Sequence, residues 1–150
     1  MRSIAIAAAF MLSATIAGAH VTVWPRESRA GAGERYTVRV PTEGKVATTS
    51  IELEVPADVT VTGVLKPNGY TYELKREKDR VVAITWTQQI EPGEIGEFVF
   101  FARNPKAGQA IAWKAHQRYA DGTSTDWVGP AGDRRPASVT RLTGAATNPQ

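Results

Sequence analysis

The sequence contains no cysteine. That absence excludes a disulfide framework, a blue-copper thiolate centre and any cysteine-ligated cluster or zinc site. There is no Gly-x-Ser-x-Gly turn and no glycine loop of the phosphate-cradling kind, so nucleophilic catalysis and nucleotide binding find little support. Charge of one sign is also lacking. The formal balance is only +3, with acidic and basic residues interleaved along the chain, and no nucleic-acid footprint emerges. Nor is there an apolar run of the roughly 20 residues needed to cross a bilayer. Histidine is scarce: His20 and His116 are the only two.

What is present begins with an export signal. Arg2 supplies a positive n-region, Ile4 to Ile16 form a short apolar stretch, and Ala17-Gly18-Ala19 is a small-residue cleavage site. Residues 1–19 are therefore expected to be removed, placing the mature protein in the periplasm or outside the cell, without a membrane anchor. The first mature residue is then His20. A retained signal-anchor would instead leave His20 with an ordinary peptide nitrogen.

The rest of the chain is a series of short β-type runs punctuated by Pro, Gly and Asp. Val21 to Trp24 stops at Pro25, Arg35 to Val40 at Pro41, and Ser50 to Val55 at Pro56. Runs at 59–65, 70–74, 81–87 and 98–103 follow, then 110–119, the Asp121-Gly122 turn, 124–128 and 138–142. Strands at this spacing predict an all-β fold, a single antiparallel β-sandwich of the immunoglobulin or cupredoxin-like kind over residues 20–142. Residues 143–150 read as a disordered tail. Period-two alternation assigns faces: Ile51, Leu53 and Val55 oppose Glu52 and Glu54, while Trp113, Ala115 and Tyr119 oppose Lys114, His116 and Arg118. Trp86 and Trp113 read as core, and Trp127 as a rim residue beside a loop.

An N-terminal histidine has a chemical consequence. Its free α-amine and its ring Nδ1 can close a chelate on one metal ion, and in model compounds both nitrogens lose their protons near neutral pH. Nitrogen donors in a tetragonal set with oxygen suit Cu(II), which heads the divalent affinity order. The alternative is that signal cleavage leaves histidine first by chance. His116, in phase with Lys114 and Arg118, reads as a surface residue. Candidate carboxylates are Glu27, Asp126, Glu52 and Glu54, each individually compatible with a solvated surface charge.

The ordered set of short segments resembles the YcnI-like family of exported bacterial copper-binding proteins. It runs from Ala19-His20-Val21-Thr22-Val23 through Pro25-Arg26-Glu27-Ser28, Tyr36 to Pro41 and Ile84-Thr85-Trp86. It continues with Gly96-Glu97-Phe98, Asn104-Pro105 and Trp113-Lys114-Ala115, then Tyr119 to Gly122, Asp126-Trp127 and Pro136 to Val139. The resemblance implies one copper ion, as Cu(II), at a single-histidine brace. His20 would be the brace, Trp127 the nearby tryptophan, and Glu27 the carboxylate, with Asp126 as substitute. It implies a chaperone or store rather than an enzyme, exchanging copper with other exported copper-trafficking proteins. His116 stands where the family pattern leads one to expect an aromatic. The rival functions are an oxidative copper enzyme, against which the missing second histidine counts, and an interaction sandwich with an incidental N-terminal histidine.

Overall fold

The computed structural model describes residues 19–144. The expected signal, apart from its last residue Ala19, and the tail from residue 145 lie outside the described residues. Among the described residues every regular element is a strand: β1 (Thr22–Trp24), β2 (Glu27–Arg29), β3 (Gly33–Pro41), β4 (Thr48–Glu54), β5 (Thr60–Val64) and β6 (Thr71–Glu77). They continue as β7 (Arg80–Ile90), β8 (Ile95–Arg103), β9 (Ala110–Trp113), β10 (Ala115–Tyr119), β11 (Ser124–Trp127) and β12 (Ser138–Thr143). No helix among them is long and apolar enough to cross a membrane.

Two sheets carry the fold, one ordered β1-β3-β8-β5 and the other β11-β10-β4-β7-β6. Every pairing within them is antiparallel. A third sheet, β2-β12-β9, contains one parallel pair, β2 with β12. The two main sheets are antiparallel as expected, and the parallel pair lies in this small third sheet. The local cause is Pro25, which has no N–H to extend the β1 ladder, so the chain leaves that sheet and finds a new partner in β12. The run at 110–119, expected as one strand, divides at Lys114: β9 pairs with β12, whereas β10 pairs with β4 and β11. Thr143, expected in the tail, belongs to β12.

Alternation places the core as expected. Ile51 and Leu53 of β4 and Ile84 and Trp86 of β7 face Val38, Phe98 and Phe100 of the opposite sheet, all of them buried. Trp86 lies stacked at 5.5 Å from Phe98, and Trp113 meets Tyr36 edge-on at 5.0 Å, geometries that the ring quadrupoles favour. The Trp113 indole donates to Thr140 Oγ1 at 3.0 Å, while that of Trp86 has no partner.

Tyr36 ties the core to the third sheet. Its hydroxyl donates to Asn104 Oδ1 at 2.6 Å, and Asn104 Nδ2 donates in turn to Ser28 Oγ and the Arg29 carbonyl. Burial pushes the phenol up to about 12, helped by the Glu34 carboxylate and opposed by hydrogen bonding with Ser28 and Asn104. The native state thus holds this proton more tightly than the unfolded chain does. The associated stability is complete below pH 10 and is lost as pH rises toward 12. Ultraviolet titration is expected to show Tyr36 ionising late, with unfolding eased over the same window. Ionisation of Tyr36 near 10 would contradict this assignment.

Candidate metal centre

The site is built where the starts and ends of four strands converge. Antiparallel pairing sets Thr22 opposite Arg39 and Val23 opposite Val38, so the chain upstream of β1 runs toward the end of β3 at Pro41. Val21 and Val23 are buried and anchor that course. Two residues beyond Pro41, Glu43 meets it: Glu43 Oε1 accepts the Ala19 backbone N–H at 2.8 Å.

The second sheet supplies the opposite wall. The β10–β11 hairpin turns at Asp121-Gly122, where Gly122 has φ +84° and the Asp121 carboxylate accepts from both the backbone N–H and the hydroxyl of Thr123. These hydrogen bonds lower the Asp121 carboxyl from its usual range. The hairpin register pairs Trp127 with Ala115 and Thr125 with Gln117, turning the Trp127 and Gln117 side chains inward. Trp127 is only 8% exposed, so the expected rim residue is a buried wall. Its ring lies 5.4 Å from that of His20, tilted by 55°.

After Trp127 the chain folds back tightly. Gly129 N–H donates to the Arg135 carbonyl, and its own carbonyl accepts from Ala137. A Cβ at Gly129 would stand 2.7 Å from the Asp133 carboxylate, so only glycine allows this approach. The loop brings Asp133, Arg134 and Arg135 to the same opening. With Ala19, His20, Glu43 and Trp127 they border an open cavity of about 620 Å³. Fixed charges of both signs surround its mouth.

The expected site residues fare differently. His20 and Trp127 are brought together. Glu27 is not brought to them: it lies on β2, ion-paired with Arg141 of the neighbouring β12, and is not among the residues bordering the cavity. Asp126 is also excluded, because alternation turns it to the outer face, where its carboxylate meets His116 Nδ1 at 2.7 Å. His116 Nε2 lies 3.7 Å from Glu54 on that same face, and Glu52 is its cross-strand neighbour. His116 therefore stands apart from His20, as its phase with Lys114 and Arg118 implied. The carboxylates that border the cavity with His20 are Asp133 and, bonded to the adjacent Ala19 N–H, Glu43, which no motif in the sequence marks. The β1–β3 register is the signal that leads to it.

Among the described residues, no group of three or more His, Asp or Glu side chains could hold a metal ion.

These pairings define an immunoglobulin-like sandwich that opens a polar cavity at its N-terminal end. The backbone is similar to that of an uncharacterized protein from Nocardia farcinica whose crystal structure reveals an immunoglobulin-like fold. The TM-score is 0.73 and the identity 28%, over 82% of this chain and 97% of that one. Residues 20–142 match the family described as "Domain of unknown function (DUF1775)", and the chain belongs to that family, the YcnI-like proteins. It is 35% identical over 144 residues to the Copper-binding protein CutI of Bacillus subtilis (strain 168), spanning 94% of this chain and 71% of that protein.

Proposed function

We propose that the chain is exported, cleaved after Ala19, and then holds one Cu(II) ion at His20 through the α-amine and ring Nδ1. Glu43 supplies the carboxylate in place of Glu27, and the Trp127 face closes one side. The observation that carries this reading is the convergence of His20, Glu43 and Trp127 at one open cavity. Glu43 stands one peptide unit from the nitrogen that cleavage would free, and the donor set of amine, imidazole and carboxylate suits Cu(II). The name of the Bacillus relative and a family match that begins at residue 20 support the same conclusion.

The role proposed is that of a periplasmic copper chaperone or store, not an enzyme. A site drawn from one histidine and one carboxylate, at the mouth of an open cavity, leaves positions for a partner's ligands to displace the protein's own. His116 on the outer face leaves the site with a single histidine, which separates it from two-histidine oxidative centres.

Copper titration of the processed protein, read by electron paramagnetic resonance, tests the proposal. One tight equivalent with an axial, nitrogen-coupled spectrum is expected, and His20→Ala should abolish it. Equal binding by His20→Ala would reduce His20 to an incidental first residue.

A further inference from the structure

Gln117 is a polar side chain only 1% exposed, on the inner face of β10, where alternation would ordinarily place an apolar residue. Burying an amide costs free energy unless its hydrogen-bonding groups are met. Here they are met by two different walls of the cavity. Gln117 Oε1 accepts the Trp127 indole N–H at 3.1 Å. Gln117 Nε2 donates to the Pro41 carbonyl at 3.0 Å and to Thr48 Oγ1 at 2.7 Å. Thr42, next to Glu43 in sequence, donates to the same Thr48 hydroxyl at 2.7 Å, and Thr42 and Thr48 are themselves buried.

The amide has one workable orientation. Rotating it by half a turn would set its NH₂ against the indole N–H and its oxygen against the Pro41 carbonyl, donor facing donor and acceptor facing acceptor. The β10 side chain therefore fixes both the rotation of the Trp127 ring and the end of β3 from which Glu43 projects. These two features belong to different sheets, and no direct hydrogen bond joins them among the described residues.

We infer that Gln117 is the positioning residue of the copper site, holding the Trp127 face and the Pro41–Glu43 segment in register around His20. The inference rests on the copper reading given above. Groups that orient metal-site residues from behind typically change metal affinity about 10–100-fold when removed. An apolar side chain of the same length would fill the volume but leave the indole N–H and the Pro41 carbonyl without this partner.

The test uses the processed protein and Gln117→Met, which keeps length and approximate volume. The Trp127 indole N–H resonance is expected to shift and to exchange faster with solvent. Copper affinity, from competition with a chelator, should fall about tenfold, and the resonance spectrum of bound copper should broaden into more than one species. In a Trp127→Phe background the same substitution should cost less, because one of its two arms is already gone. Native affinity with a single native copper spectrum in Gln117→Met would overturn the inference, as would full additivity with Trp127→Phe. Should Gln117→Met fail to fold, Gln117→Glu, measured at a pH where the new carboxyl is ionised, retains the acceptor for the indole and removes the donors. It should keep the indole resonance near native and still weaken copper, and unchanged copper affinity would count equally against the inference. A processed protein acetylated at the His20 α-amine is run alongside. If that protein loses copper while Gln117→Met binds normally, only the role of Gln117 fails. If it binds as tightly as the unmodified processed chain, the His20 reading falls and this inference with it.

Discussion

A processed chain whose His20 α-amine is acetylated is expected to lose tight copper binding, by on the order of a thousandfold, or about 4 kcal/mol. Acetylation converts the amine into an amide nitrogen, whose lone pair is delocalised into the carbonyl, and leaves no free amine upstream to anchor copper while it displaces the amide proton. The imidazole then binds alone and the chelate is broken. Nothing nearby compensates, because among the described residues no trio of His, Asp or Glu can take over. Chelator competition on free and acetylated proteins measures the loss. Equal affinities would mean that copper binds elsewhere or without the amine.

Glu43→Gln is expected to weaken copper by about 10–100-fold, roughly 1.4–2.8 kcal/mol, whereas Glu27→Gln leaves the affinity unchanged. The first substitution keeps the shape but replaces an anionic oxygen donor with a neutral one, directly beside the site. The second removes an exposed ion pair with Arg141, worth at most about 1 kcal/mol of stability, on a sheet that does not border the cavity. The pair of variants discriminates between the carboxylate chosen from the sequence and the one that borders the cavity. A loss in Glu27→Gln together with native binding in Glu43→Gln would restore the sequence-based choice and remove Glu43.

The separation of Glu27 from His20 has a physical reason. Glu27 is only seven positions from His20 along the chain. Pro25 ends the β1 ladder, and the chain moves on to pair with β12. Glu43 is far more distant in sequence, yet the antiparallel β1–β3 register delivers it to Ala19 and His20. Gln117 was hidden for a related reason. The alternation of Trp113, Ala115 and Tyr119 marks an inner face that includes position 117, but period alone does not say that a buried amide there has partners. Those partners, Trp127, Pro41 and Thr48, come from three other segments. Trp127 looked like a rim residue because Asp126, Gly129 and Pro130 flank it. Its ring instead belongs to the buried core cluster, with its indole N–H bonded to Gln117.

By itself the sequence determined the strand-rich class, most strand positions and the inward faces of β4 and β7. Each of these depends on neighbours within a few residues, through side-chain alternation or proline and glycine stops. Only the tertiary structure decided that Glu43 and not Glu27 borders the cavity with His20, that Trp127 is a wall of that cavity, that His116 belongs to the outer face, and that Gln117 joins the two sheets there. Those outcomes depend on strand order and register between segments up to about a hundred residues apart, which the burial of the whole core selects and no local pattern encodes.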